Sequence, residues 1–531
     1  MKRVILIGLD GFSPELVEKW MGAGRLPALA ALKEQGLSGP LAGLNPPVTF
    51  PVWSSCVCGV NPGVHGLVDF TEMQEGAYAL RFMNSRDRKA PALWNILSEA
   101  DRRVCVLGVP GSYPPEPVNG ILAAGFDSPV ANAMDRSFVY PPEAFAKVKG
   151  WHFADFQEHR ISPAWYGRAL HALEQRIAAK ESIILDLLQC EAWDFFMVVL
   201  GEADTASHHF WALEDEQSPR HNAAIKEPTH PLRRIYERLD RVVARIAEYA
   251  DEDTLLLVVS DHGFGGADTK VLHLNNFLAE QGWLRFAPPK MNLLKKIALR
   301  WVPVKLRGSL FRRFQAYAEQ AESRSRFGGI DWRHTRAWSD ELDYLPSVRL
   351  NVAGREGQGV VAPESYDAVV EDLCRLLETL PGVVKAHPRA ALYTGPYTHR
   401  APDILLDLDW SGGYRFSCAR ARGGAVVEEL SPERWAGGKE AGCSGVHKNP
   451  AYLAMNRPTA VDAPGILDIA PTVLEYLGVD WEAMEGRSLL SGRHPENTSF
   501  HNKWTPHPVK LYTEDEERLL EERMRLLGYY E

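Results

Sequence analysis

Val4-Ile-Leu-Ile-Gly-Leu-Asp10-Gly11 opens the chain with a short apolar run that ends in a carboxylate and a turn. A run without polar alternation is the mark of a strand buried on both faces, as in a parallel sheet covered by helices. Arg103-Val-Cys-Val-Leu-Gly-Val109, Phe195-Phe-Met-Val-Val-Leu200 and Thr254-Leu-Leu-Leu-Val-Val-Ser260 repeat the pattern. Helical stretches separate them, roughly Pro14 to Trp20, Leu26 to Gln35, Ala92 to Ala100, Ala164 to Leu188 and Arg233 to Tyr249. Strands alternating with helices predict an α/β fold: a doubly wound, mostly parallel central sheet with helices on both faces. Ligands of such sheets gather beyond the carboxyl ends of the strands. Asp10, Asp204 and Asp261 all lie there.

Composition sets the limits. The chain has 531 residues, 45% hydrophobic and 24% charged, with a net charge of −10. That acidic balance argues against a nucleic-acid polymer as partner. No apolar run approaches the roughly 18 residues of a membrane span. The first residues lack the pattern of a secretory signal, so a cytoplasmic location is expected. Seven cysteines (Cys56, Cys58, Cys105, Cys190, Cys374, Cys418 and Cys443) are an odd number without a CxxC pair, which suits buried free thiols.

The core is expected over residues 1–285 and 330–495, interrupted by a cap at 286–329. Between Lys290 and Arg313 lie eight basic residues and no acidic one, interleaved with apolar side chains. Such a segment reads as a solvated or substrate-facing cap helix. Its alternative is peripheral contact of 290–313 with an anionic membrane. Residues 127–165 read as surface excursions, and Gly437 to Pro450 as a polar loop. Asp331 to Val352 and Ala401 to Asp409 have strand character, and Tyr366 to Leu380 and Leu467 to Gly478 helical character. The tail, 496–531, carries a capping box at Thr513–Glu516 and a leucine-bearing helix, a surface on which a homo-oligomer could form.

Asn45-Pro-Pro-Val-Thr49-Phe-Pro-Val-Trp-Ser-Ser-Cys-Val-Cys-Gly59 reads as a proline-stiffened turn into a buried helix. Thr49 at its start is either an N-cap or a hydroxyl held where helix N–H groups favour an anion. Asp204-x-x-x-His208 places two side chains on one helical face or one loop wall. Asp261-His262 shares a site if the backbone turns, which Gly263 permits, and His447 adds an imidazole from its loop. Carboxylates with imidazoles suit zinc or a similar divalent ion. The count fits two metals, one on Asp204, His208 and His447, the other on Asp10, Asp261, His262 and the Thr49 oxygen. Two ions about 4 Å apart stabilise the entering and leaving oxygens of an in-line phosphoryl displacement.

Gly8-Leu-Asp10-Gly, Pro47-Val-Thr49-Phe-Pro, Asn61-Pro-Gly-Val-His-Gly66, Asp204-x-x-x-His208, Ser260-Asp-His-Gly263, Ser444-Gly-x-His447 and Asp468-Ile-Ala-Pro-Thr472 occur in this order. Together they resemble the type I phosphodiesterase/nucleotide pyrophosphatase family of the alkaline phosphatase superfamily. The resemblance implies an alkaline-phosphatase-like core, a two-zinc centre (manganese being the other candidate ion) and a phospho-threonine intermediate at Thr49. It assigns the two ligand sets as above and makes His65 a structural turn residue. In nucleotide-cleaving members an Asn follows the Thr by about 21 residues and donates to phosphate; Phe70 stands there in this chain. Arg86, Arg88 and Lys89 are the candidates to contact phosphate in its place. The expected activity is metal-dependent hydrolysis of a small-molecule phosphate ester, a diester before a monoester. A lipid-linked diester is a further alternative, and a non-catalytic phosphate-binding protein is the rival class.

Overall fold

The computed structural model describes residues 2–125, 136–152, 161–225, 227–287, 327, 329–420, 423–435, 442–481 and 483–495. Its strands, in chain order, begin with β1 (Arg3–Leu9), β2 (Leu37–Leu41), β3 (Thr71–Met73), β4 (Leu80–Phe82), β5 (Val104–Leu107) and β6 (Gly120–Ala123). Then come β7 (Val139–Tyr140), β8 (Phe195–Leu200), β9 (Thr254–Val259), β10 (Gly263–Leu272), β11 (Ala337–Trp338) and β12 (Ser347–Leu350). The last are β13 (Val383–Pro388), β14 (Ile404–Leu408), β15 (Tyr414–Cys418), β16 (Val427–Glu429), β17 (Gly445–Lys448) and β18 (Ala451–Met455).

The central sheet runs β2-β18-β9-β1-β8-β5-β6-β7. Its middle strands, β9, β1, β8, β5 and β6, are parallel, while β18 and β7 run against their neighbours. Alternate side chains of β1 feed two cores: Ile5, Ile7 and Leu9 enter one, Val4 and Leu6 the other. Helices Pro14–Gly22, Pro27–Gln35, Pro163–Cys190, Glu202–Glu214 and Pro231–Ala247 cover the first face. Helices Thr49–Cys58, Leu93–Glu99 and Ile469–Leu477 cover the second. The chain is thus α/β with a mostly parallel sheet, and the unbroken apolar runs follow from burial on both faces. Each such aliphatic side chain contributes on the order of 1.5–3 kcal/mol. The pairing register aligns Leu9 with Leu200 and Gly8 with Val259, so β1, β8 and β9 end together. That common edge is where the site lies.

Besides the antiparallel pair β3-β4, two four-stranded sheets are present among the described residues. Strand β10 lies between β15 and β16 and also pairs antiparallel with β17. Strands β11-β12-β14-β13 form an antiparallel sheet with its own core, including Leu274, Trp338, Val348, Leu373 and Ile404. Asp403, buried at the start of β14, accepts from Arg355 at 2.7 and 2.8 Å, from the Tyr366 hydroxyl and from Leu350 N–H. The strand read at Ala401 to Asp409 therefore belongs to this separate layer.

The segment 437–450, read as a loop, contains β17, and 127–165 supplies the edge strand β7. Cysteine reading needs one amendment: Cys190 is exposed and Cys443 half-buried, while the other five are buried, and all are free. Most of the cap at 286–329 and the whole tail from 496 lie outside the described residues, as does the basic stretch 290–313. Among the described residues, no helix is long and apolar enough to cross a membrane.

One buried ion pair fixes the helix that follows β8. Lys180 Nζ stands 2.6 Å from Glu202 Oε1, with side chains 4% and 0% exposed. Removing one partner strands the other charge without water. Lys180→Met is expected to lower the free energy of unfolding by about 3–5 kcal/mol, whereas Lys180→Met with Glu202→Leu recovers most of it. Urea unfolding followed by tryptophan fluorescence checks both.

Candidate metal centre

Asp10 leaves β1 directly into Gly11, whose φ of +68° and packing both demand glycine. A Cβ there would come within 2.9 Å of Asp204 Cα. The Gly11 N–H donates to Asp261 Oδ1 at 3.1 Å, and Trp53 Nε1 donates to Asp10 Oδ2 at 3.0 Å. Each carboxylate is thus held by one oxygen. The others, Asp10 Oδ1 and Asp261 Oδ2, together with Asp204 Oδ1, are buried and have no donor.

Three imidazoles face those three oxygens. His262 Nε2 lies 3.1 Å from Asp261 Oδ2, 3.8 Å from Asp10 Oδ1 and 4.0 Å from Asp204 Oδ1. His447 Nε2 and His208 Nε2 lie 3.3 and 3.5 Å from Asp204 Oδ1 and 3.1 Å from each other. Asp204 and His208 share one face of the helix Glu202–Glu214. His447 stands on β17, not in a loop, opposite Phe264 of β10. Gly263 serves by close approach rather than by an unusual φ: a Cβ there would meet the Pro450 carbonyl at 2.7 Å.

Each Nδ1 has a backbone carbonyl as its partner: Gly445 for His208, Gly263 for His262 and Pro47 for His447, at 2.9, 3.1 and 2.9 Å. A carbonyl only accepts, so each Nδ1 carries a proton, and each ring, when neutral, presents its Nε2 lone pair to the centre. Three lone pairs and three carboxylate oxygens therefore converge without a donor among the six. The arrangement fits cations. Two overlapping sets, Asp10/Asp261/His262 and Asp204/His262/His447, keep their ligand atoms within 4.8 Å of one another. His208 completes the second by its contacts to Asp204 and His447, leaving His262 between the two sets.

Charge tells the same story. Burial, then repulsion from Asp261 and Asp204, pushes the Asp10 carboxyl well above its usual range. Burial also raises Asp261, with Asp204 adding to it. Burial resists ionisation of Asp204 as well, but His208 and His447 outweigh it and hold that carboxyl below its range. His262 is pushed well below 6.5 by burial and by His447. Asp204 and His208 keep 17% and 23% exposure, whereas Asp10, Asp261 and His262 are closed off. The centre opens to solvent on the Asp204 side.

Thr49 is the first residue of its helix, after an extended Val48, and caps nothing. Its Oγ1 lies 3.0 Å from His262 Nε2, at the edge of the six ligands. Amides in a first helical turn have no intrahelical acceptor, so this end favours an anion.

The remaining candidates go elsewhere. Phe70 is buried, its ring 5.3 Å from that of Phe50, beside Thr49, and edge-on to Tyr344 at 5.9 Å. Arg88 is buried and pairs with Glu116 at 2.6 Å, which removes it as a phosphate contact. Lys89 donates its backbone N–H to the His65 carbonyl, and burial and Arg400 lower its ammonium pKa. Arg86 sits on the short turn Ser85–Asp87 with its N–H on Asn84. His65 bonds Ser55 at 2.8 Å inside the fold, and His209 packs against Trp165. Sequence reasoning missed Trp53 and the carbonyls of Pro47, Gly263 and Gly445. Backbone acceptors carry no residue signature, and Trp53 four residues after Thr49 reads as core.

The family model described as type I phosphodiesterase / nucleotide pyrophosphatase matches residues 4–418. The chain belongs to this family. The match takes in every candidate ligand except His447, and it makes the protein a hydrolase acting on phosphoesters, of a metal-dependent family. Among solved structures, phosphonoacetate hydrolase from Sinorhizobium meliloti 1021 with phosphonoformate superposes at TM-score 0.50 and 14% identity, covering 90% of this chain and 96% of that one. Murine ectonucleotide pyrophosphatase / phosphodiesterase 5, an inactive form with AMP, gives 0.47 and 11%, covering 90% and 96%. At 14% identity the first of these likenesses speaks to the fold alone. Among curated proteins, none matches the sequence.

The buried carboxylates make the metal-free family member pH-sensitive. Asp10 and Asp261 have folded pKa values raised above the unfolded 3.8, so they favour folding when protonated and lose that stability as pH rises. Metal-free Asp10→Asn/Asp261→Asn is expected to melt above the metal-free parent at about pH 8, with the gap narrowing toward about pH 4. Zinc is expected to stabilise the parent and not the variant. Thermal denaturation with and without chelator checks both.

Proposed function

We propose that the protein hydrolyses small phosphate esters, diesters before monoesters, with Thr49 as the nucleophile and two divalent cations as cofactors. The observation that carries this reading is the cluster of three carboxylate oxygens and three imidazole nitrogens with the Thr49 hydroxyl at its edge, 3.0 Å from His262 Nε2. Asp204, His208 and His447 would hold one ion, and Asp10, Asp261 and His262 the other, with the Thr49 oxygen reaching the second. Imidazole with carboxylate suits zinc, with manganese the nearest substitute. When bound, the ions supply positive charge that lowers the pKa of the Thr49 hydroxyl and offsets charge on the entering and leaving oxygens.

The side chains do the rest. The amides of Thr49 and Phe50 are the ones this helix start offers the phosphate, since Pro51 has no N–H and Val52 N–H donates to the Val48 carbonyl. Thr49 Oγ gives its proton to solvent and bonds to phosphorus as the bond to the leaving oxygen breaks on the opposite side. The departing alkoxide takes a proton from water, and a further water hydrolyses phospho-Thr49, releasing the phosphate monoester and returning the hydroxyl. Phe70 offers no hydrogen bond beside Thr49, so the phosphate is gripped without the side-chain amide of nucleotide-cleaving relatives. We therefore place nucleotides below simpler diesters, with lipid-linked diesters in the same class. Phosphonates belong in the comparison because a structural neighbour is a phosphonoacetate hydrolase. Readings that depend on 290–313 or the tail, membrane contact and self-association among them, concern residues outside those described.

Thr49→Ala is expected to lower kcat on a chromogenic bis-aryl phosphate by at least about 10³-fold, as loss of a covalent nucleophile does, while metal content is retained. Full metal-dependent turnover in the variant would refute the assignment. A kcat/KM screen of monoesters, diesters and a phosphonate with zinc and manganese then ranks the substrates.

A further inference from the structure

Arg220 is 2% exposed. Among the described residues no carboxylate comes within ion-pair distance of it, yet all three nitrogens of its guanidinium donate hydrogen bonds. Nε donates to the Asp268 carbonyl at 2.8 Å, and Nη1 to the carbonyls of Gly442 and Cys443 at 2.8 and 3.3 Å. Nη2 donates to Ser417 Oγ at 3.1 Å. Burying a cation this way is costly, and burial pulls its pKa down against the attraction of Asp343 and Asp268. What the cost secures is geometry: a rigid planar fork spanning β10, β15 and the approach to β17.

Arg220 and the Gly442–Cys443 segment it clamps each lead along the chain into the candidate metal centre. On one side, Arg220 follows the helix Glu202–Glu214 through a turn in which Ser218 N–H donates to the Asp215 carbonyl at 3.0 Å and His221 Nδ1 to the Ala212 carbonyl at 2.8 Å. This helix presents Asp204 and His208. On the other side, the clamped Gly442–Cys443 leads straight into Ser444, whose Oγ donates to the His208 carbonyl at 3.2 Å. Gly445 comes next; its carbonyl accepts from His208 Nδ1, and a Cβ on it would lie 2.1 Å from the Ser207 carbonyl. His447 follows two residues later. The contact between helix and strand is therefore close, and its spacing decides where three ligands point.

We propose that Arg220 is the positioning residue for the Asp204–His208–His447 half of the centre, acting through Gly442–Gly445, and that the Asp10–Asp261–His262 half forms without it. The inference rests on the two-cation reading above. Outer-shell partners of metal ligands typically change affinity by about 10- to 100-fold. Arg220→Met is thus expected to weaken one site by at least about tenfold and leave the other intact. Arg220→Lys keeps the charge but cannot span the same acceptors, and is expected to fall between.

The test is a Co(II) titration of the full-length apo chain, read by visible absorption, for the parent, Arg220→Met, Arg220→Lys and Arg220→Met/His447→Ala. The expected result is two equivalents in the parent and one tight plus one weakened in Arg220→Met. The double variant then shows no further loss at the tight site. Two equivalents at parental affinity in both single variants would overturn the proposal. So would loss of both sites together with an altered far-ultraviolet circular dichroism spectrum, which marks a general scaffold role. A parent that binds fewer than two equivalents overturns the two-cation reading itself.

Discussion

Three carboxylates meet where β1, β8 and β9 end, Asp10 and Asp261 buried and Asp204 partly exposed, and each has a buried oxygen without a donor. In water such groups would ionise freely; here burial and repulsion oppose it at Asp10 and Asp261, while His208 and His447 favour the charge of Asp204, and added positive charge relieves the conflict at the first two. The parallel sheet creates the conflict by ending three neighbouring strands in register. The six-ligand arrangement is its resolution.

The scaffold aims those ligands by securing the atom of each that does not face the centre. Trp53 and Gly11 hold one oxygen of Asp10 and Asp261, and three backbone carbonyls hold the Nδ1 protons. Holding the outer atom fixes tautomer and ring orientation before any ion arrives, which reduces the reorganisation that binding requires. The same economy applies to Thr49, delivered as the first residue of a buried helix rather than as its cap.

The parallel sheet was legible because its strands are buried on both faces and so lose all polar alternation. Asp204 and His208 were legible because a helix returns every fourth residue to one face. His447 was assigned to a loop because β17 is four residues long, glycine-led and paired with β10 across a wide sequence gap. Neither periodicity nor local propensity records such a pairing. Phe70 shows the opposite limit: the missing donor was visible as a residue type, but its packing against Phe50 and Tyr344 depends on a turn and a separate layer meeting. Arg220, a lone arginine after Ser218-Pro219, has no local signal, since its partners are backbone carbonyls far along the chain.

The central claim is that two cations complete the centre, and the most direct measurement is the number of divalent ions per chain. Elemental analysis of protein dialysed against limiting zinc should give about two ions per chain, falling to about one in Asp261→Asn and in His447→Ala separately. A parent that retains no ion, yet hydrolyses a phosphodiester undiminished in the presence of chelator, would contradict the account.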